Sequence, residues 1–351
     1  MTAMRLRRAR TPLPPLLCRW DLDKTYLRSE FDTLGQLWRT AWEKGVDKIE
    51  VPGVADVIKG LKAAGDRRGR AVAMHFISAS PPQIGKAIRD KLALDGVPYD
   101  GIAFKDQLQN LRRGKLRNLR EHVGFKLTEL LRGRAGADPA ARELLFGDDW
   151  ESDPLTYSLY ADVIAARLER AVLEQVLARI GVDPATVPGI LEAAAAAVGG
   201  DRVDRIFINL ERRTPIGVFR LYGPRVVPSF NYFQTSVVLA ADGWMDAEDV
   251  LRVARALTDA AGFTPRRLEN SLADLVRRGL VLPQAADRVA RPLRKAGVLP
   301  VAAGGPAAWI RRLTALRRRR PAALASTAAV DYTAILTRLA ADQPEVRARA
   351  T

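Results

Sequence analysis

Leu16-Leu17-Cys18-Arg19-Trp20-Asp21-Leu22-Asp23-Lys24-Thr25 is a short apolar run that ends in two aspartates one residue apart. Apolar runs of this length bounded by polar residues form buried strands. Residues i and i+2 of an extended chain face the same way, so Asp21 and Asp23 can both address one pocket at the C-terminal end of the strand. Open α/β sheets bind their ligands at that edge. The stretch therefore predicts an α/β fold, provided that other strand ends supply companions for the two carboxylates.

Moving outward, three further apolar runs qualify as strands. Ala71 to Ser78 ends in Ser78-Ala79-Ser80-Pro81-Pro82, a cap-and-proline start to a helix reaching about Leu94. Gly101 to Lys105 is a short third strand. Glu143 to Phe146 is a fourth, running into Gly147-Asp148-Asp149-Trp150-Glu151-Ser152-Asp153-Pro154, with a helix beginning near Leu155. Helical patterns separate the strands: residues 26–45 with Trp38 and Trp42 as packing residues, about 53–64 after Pro52-Gly53 and before a charged turn from Gly65 to Gly69, and the basic segment Arg112 to Arg134. Alternating strands and helices imply βαβ units and a parallel sheet, whose right-handed crossovers bring the ends of the first, second and fourth strands to one edge.

Beyond the fourth strand, residues 163–199 are Ala-rich and helical, broken at Val182-Asp183-Pro184, and Val203 to Leu210 alternates as a fifth strand. Residues 216–240, rich in Val, Phe and Tyr, predict further short strands or a hairpin. Helical patterns follow at about 246–261, 265–278, 283–295, 306–318 and 328–341. The expected organisation is a basic leader (1–15), a catalytic domain (16–240) with a helical insertion at about 163–199, and a mostly helical C-terminal region (241–351).

Composition narrows the class. A chain of 351 residues, 48% hydrophobic and 27% charged, is globular. No apolar run reaches the ~18 residues of a membrane span, and the basic, Pro-broken N-terminus is a poor signal peptide, so a cytoplasmic protein is expected. A lone cysteine, Cys18, excludes an internal disulfide framework and reads as a buried strand residue. His75 and His122 lack local partners and make a weak zinc site. The net charge of +16 suits an anionic partner: a phosphate ester, an acidic membrane surface or, ranked last, nucleic acid. Arginine-rich composition alone gives the same number. The basic segments 112–134 and 311–320 could dock an anionic membrane or follow a phosphodiester backbone. Phe230, Tyr232 and Phe233 could stack bases but fit a core better. Arg277-Arg278-Gly279-Leu280-Val281 has the form of a helix running into a small hairpin, a minor winged-helix possibility.

The strand-end residues suit phosphoryl transfer. One carboxylate can attack phosphorus while its neighbour moves the proton. Ser78 can donate to a phosphate oxygen. Gly147-Asp148-Asp149 adds hard oxygen ligands suited to Mg2+. A cation is needed too, with Lys126, Lys115 and Lys105 as candidates. Each motif alone also fits a solvated turn or a helix cap.

In chain order the strand–Asp-x-Asp-x-Thr, strand–Ser, Lys and strand–Gly-Asp-Asp-x-x-x-Asp motifs resemble the haloacid dehalogenase (HAD) superfamily over residues 16–165, with the strand at 203–210. The resemblance implies a Rossmann-like core and a Mg2+-dependent phosphatase forming an aspartyl phosphate. Asp21 would be the nucleophile and Asp23 the general acid/base, both touching the metal. Thr25 would support the loop, Ser78 and Lys126 would hold the phosphoryl group, and Asp148 would bind the metal with Asp149 or Asp153. Ile77-Ser78-Ala79-Ser80-Pro81 and Gly147 to Pro154 with Tyr157 further resemble the actin-patch-type phosphatidate phosphatases. Ala79 replaces their Asn, and Asp149-Trp150 replaces Ser-Gly. About fifty residues between Asp23 and Ser78, mostly helical, leave little room for a cap, which suits a large substrate unless the 163–199 helices cover the site. A nucleic-acid-end-processing protein and a non-catalytic scaffold are the alternatives.

Overall fold

Six strands, all parallel, form one sheet in the order β3-β2-β1-β4-β5-β6. They are β1 (Leu16–Asp21), β2 (Val72–Ser78), β3 (Gly101–Phe104), β4 (Arg142–Asp148), β5 (Val203–Asn209) and β6 (Val226–Ser229). The computed structural model describes residues 13–23, 25–26, 50–80, 82–105, 115–150, 152–302, 305–316 and 329–341. The expected helix at 26–45, with Trp38 and Trp42, lies almost wholly outside them, as do the leader, Arg112 and residues 317–320. The α/β class, the parallel sheet and the helical C-terminal region are as the sequence predicts.

The strand order follows from the chain's path. It runs from β1 outward through β2 to β3, then returns to the other side of β1 as β4 and continues to β5 and β6. A reversal of this kind leaves a crevice between the C-terminal ends of the two strands flanking it, here β1 and β4.

Each face of the sheet is covered, and strand parity assigns residues to faces. Leu16, Cys18, Trp20, Leu144, Phe146 and Phe207 join one core with helices α1 (Val54–Arg68), α2 (Gly85–Leu94), α7 (Tyr232–Ala241), α8 (Ala247–Ala261), α9 (Pro265–Arg278), α10 (Pro283–Lys295) and α11 (Gly305–Leu316). Leu145, Ile206 and Ile208 join the other with α3 (Lys115–Ala135), α4 (Asp153–Ile164), α5 (Arg170–Ile180), α6 (Val187–Ala197) and α12 (Tyr332–Ala341). On the first face Trp20 stacks on Phe146 at 3.7 Å and Phe146 on Phe207 at 5.1 Å, a ladder across three neighbouring strands. The C-terminal helices thus share a continuous core with the sheet. The insertion helices α5 and α6 belong to the second core, and α6 packs on α3.

Several local expectations are corrected. Helix α1 runs through Gly65 to Arg68 and is closed by Gly69, whose φ of 64° suits only glycine readily. Gly65 is no helix stop: a Cβ there would stand 2.3 Å from Val72 Cγ2, so the glycine lets the helix approach β2. Residues 216–240 form no hairpin. They form a 3-10 turn (Ile216–Tyr222), the parallel strand β6 and helix α7. Residues Tyr232 to Leu239 are buried on every side, so the helix lacks an amphipathic period, and packing overrides its strand-like composition. Asn231 caps it by accepting from the Gln234 N–H. After α9 the chain turns at Gly279 and enters α10 with no strand pair between, which removes the winged-helix form. Tyr232 and Phe233 are core residues, while Phe230 is exposed.

Candidate active site

Asp21 ends the central strand at the crevice between β1 and β4, and it is fully buried. It has the parity of Arg19, so it faces the side that α3 covers. Helix α3 meets it with Lys126. That lysine lies on the buried stripe Val123, Leu127, Leu130, Leu131 and is itself 0% exposed. A lysine on an apolar stripe is tolerable only against carboxylates. Its Nζ lies 2.7 Å from Asp21 Oδ1 and 2.5 Å from Asp153 Oδ1. Lys126 lies in the middle of this 21-residue helix.

Asp153 enters from the first turn of α4, followed by Pro154. Its Oδ2 accepts from the Asp148 N–H at 3.2 Å. Gly147 makes the space: a Cβ there would lie 2.3 Å from Asp153 Oδ2. Asp148, at the end of β4, is fully buried, and its Oδ1 accepts from the Trp150 N–H at 2.6 Å. Asp21, Asp148 and Asp153 each offer a carboxylate oxygen, and these oxygens lie within 4.8 Å of one another.

This donor set fits a metal ion. All three donors are hard carboxylate oxygens, the kind that alkaline-earth ions prefer. Among the described residues, the Lys126 ammonium stands with three buried carboxylates here. A divalent cation would offset them. The histidines contribute nothing to this cluster: His75 lies mid-strand in β2 and His122 on α3.

Asp23 stands apart from the triad. Its carboxylate accepts from Ser78 Oγ at 2.9 Å and from Ser80 Oγ at 3.1 Å and 3.2 Å. The Ser80 N–H in turn donates to Ser78 Oγ at 3.1 Å. Ser78 ends β2 at the same sheet edge, with its hydroxyl on a neighbouring carboxylate. Ser80 was expected to cap a helix. The following helical turn begins at Pro82 as 3-10 and α2 has no side-chain cap, so Ser80 serves Asp23 instead. The spacing Ser78-x-Ser80 on an extended strand end was the available signal.

Asp149 is the main departure. Its carboxylate accepts from the Arg212 N–H at 2.8 Å and the Thr214 N–H at 2.9 Å, so it anchors the loop after β5 and is not one of the clustered carboxylates. Sequence offers no sign of these partners, which lie more than sixty residues away. Thr25 is fully buried, and its carbonyl accepts from the Tyr232 hydroxyl at 2.8 Å. This contact ties the segment after β1 to α7 through the main chain. Lys105 follows β3 at the same sheet edge, whereas of Lys115 only the backbone, at the start of α3, is described.

Tyr157 and Tyr232 back the site. Burial pushes both hydroxyls well above their ordinary range, reinforced at Tyr157 first by Asp153 and at Tyr232 first by Glu211. Both stay protonated as donors, Tyr157 to the Phe146 carbonyl. Burial likewise pushes the Cys18 thiol up, which leaves it inert as a nucleophile.

Comparison with protein-family models, with curated proteins and with solved structures finds no match for this chain. Among the described residues no helix is long and apolar enough to cross a membrane.

Proposed function

We propose that the chain is a HAD-type, Mg2+-dependent phosphatase that hydrolyses phosphomonoesters through an aspartyl phosphate on Asp21. The observation that carries this reading is the buried meeting of Asp21, Lys126, Asp148 and Asp153 at the crevice where the strand order reverses. The four-motif resemblance supports it.

In the forward half, an Asp21 oxygen forms a bond to phosphorus as the bond to the leaving oxygen breaks, and Asp23 gives its proton to that oxygen. In the second half, ionised Asp23 takes a proton from water, whose oxygen displaces Asp21 and releases inorganic phosphate. Ser80 orients Asp23 for both proton transfers, and the Ser78 hydroxyl would turn from Asp23 to a phosphoryl oxygen when substrate binds. Lys126 holds Asp21 in place and offsets charge on the transferred group. Mg2+ held by Asp21, Asp148 and Asp153 would supply charge neutralisation at the phosphoryl oxygens.

The test is phosphate release from phenyl phosphate by the full chain with Mg2+ and with EDTA. Release should require Mg2+ and vanish in Asp21→Asn, and Asp23→Asn should lower the rate by about 10²–10⁴. No release by the parent chain with any divalent ion, or an unchanged Asp21→Asn rate, overturns the reading.

A further inference from the structure

Beside the buried cluster, two loops are tied into one rim. The residue after Asp149, Trp150, is 43% exposed, and its N–H is the donor to Asp148. The Arg212 guanidinium lies over its ring, 4.9 Å from the centroid. The Asp149 carboxylate, 8% exposed, holds the main chain on either side of Arg213. Arg213 has a φ of 58°, a left-handed conformation that is costly for a side chain of this size. A buried carboxylate and a strained arginine spent on one short loop mark that loop as held in place for a task. Both arginines are exposed, and neither has an ion pair among the described residues.

The chemistry of the rim differs from that of the cluster below it. Lys126 and the carboxylate cluster are fully buried, whereas Arg212 and Arg213 are exposed. Two exposed cations beside the cluster would meet the part of a substrate that stays outside it. With its guanidinium over the Trp150 ring, Arg212 keeps N–H donors for an anion that can accept two of them. A neutral leaving group would give these cations nothing to bind.

Resting on the phosphatase reading, we propose that Trp150, Arg212 and Arg213 select phosphomonoesters whose leaving group carries a second anionic group, with Asp149 as the positioning residue of that rim. A carboxylate or a second phosphate meets the same requirement.

The experiment compares phenyl phosphate, 4-carboxyphenyl phosphate and 1,4-phenylene bisphosphate on the full chain with Mg2+. The two doubly anionic esters should show a KM about tenfold lower than phenyl phosphate, the factor of one charge-assisted contact. Their mutual order then tells carboxylate from phosphate. Arg212→Gln and Arg213→Gln should each shrink that KM ratio toward one. Asp149→Ala should do the same at a distance, and Asp149→Asn, which keeps an acceptor oxygen, should recover part of it. A parent ratio of one, or a ratio unmoved by either arginine variant, overturns the rim while the phosphatase stands. If no ester is hydrolysed, the phosphatase reading fails by itself, and equilibrium binding of the three compounds decides the rim. Tryptophan fluorescence, referenced to Trp150→Phe, reads that binding: tighter binding of the doubly anionic pair supports the proposal, and equal affinity overturns it.

Discussion

Lys126 shows what a single residue does here. Its ammonium is fully buried and touches two carboxylates that lie 132 positions apart in the chain, Asp21 and Asp153. Removing one partner from a buried ion cluster leaves uncompensated charge, at a cost of about 3–5 kcal/mol. Lys126→Met should therefore lower the stability of the metal-free protein by that amount, seen as a lower urea midpoint in EDTA. Mg2+ should raise the midpoint of the variant more than that of the parent, because the ion then replaces the lost countercharge. An equal Mg2+ effect in both proteins would separate Lys126 from the metal pocket. The lysine was legible only as one of three candidates, preferred for its place before the fourth strand in the motif order; its two contacts were not.

At the level of elements, strands β1 and β4 do two jobs through alternation. Even-numbered residues such as Trp20 and Phe146 build one core, while Arg19 and Glu143 face the other way. There Glu143, fully buried, accepts from Arg19 at 2.8 Å, Arg134 at 3.2 Å and the Tyr160 hydroxyl. This network joins β1, β4, α3 and α4 at the sheet end away from Asp21. Glu143→Gln should cost about 3–5 kcal/mol in chemical denaturation, because both arginines lose their countercharge. A loss below about 1 kcal/mol would show that they find other partners.

His75, on β2 beside this network, sets a pH dependence. Burial first, and Arg19 second, hold its pKa below the ordinary 6.5. The unfolded chain then binds the proton more readily, so stability rises with pH in the window below 6.5. The His75 contribution is complete above 6.5 and is lost as pH falls through that window. His75→Gln should flatten this limb of the stability curve between pH 7 and pH 5, measured by urea midpoints. An unchanged slope would remove His75 as its source.

Across the whole molecule, described helices from the C-terminal region join both cores, on opposite faces of the sheet. Helices α8 to α11 lie on one face, and α12 lies on the other. The buried Tyr332 hydroxyl donates to Asp162 Oδ2 at 2.7 Å, and the Val330 N–H donates to the same oxygen at 2.8 Å. Asp162, near the C-terminal end of α4, thus fastens the last helix to the element that begins with Asp153. Tyr332→Phe should cost about 1 kcal/mol, the net value of one hydrogen bond, without altering Mg2+ binding. A shift in Mg2+ affinity would mean that the fastening reaches the cluster through α4.

The fold class, the strands that carry the chemistry and most of the residues at their ends are legible in the chain's local patterns. Period-two alternation, apolar runs and strand-end carboxylates are local signals, and local signals survive in one dimension. Asp21, Asp148 and Ser78 were named from their positions after apolar runs, whereas Asp153 came only with the family resemblance, as an alternative to Asp149. Which carboxylates share a pocket and which serve elsewhere depends on how distant segments pack. Asp149 follows Asp148 directly, yet it binds the backbone of residues 212 and 214. Gly65 looked like a helix stop and is a contact with Val72, and the strand-like composition of residues 232–239 forms a helix buried on all sides. In each case the deciding energy is a contact between segments distant in the chain, which neither spacing nor propensity encodes.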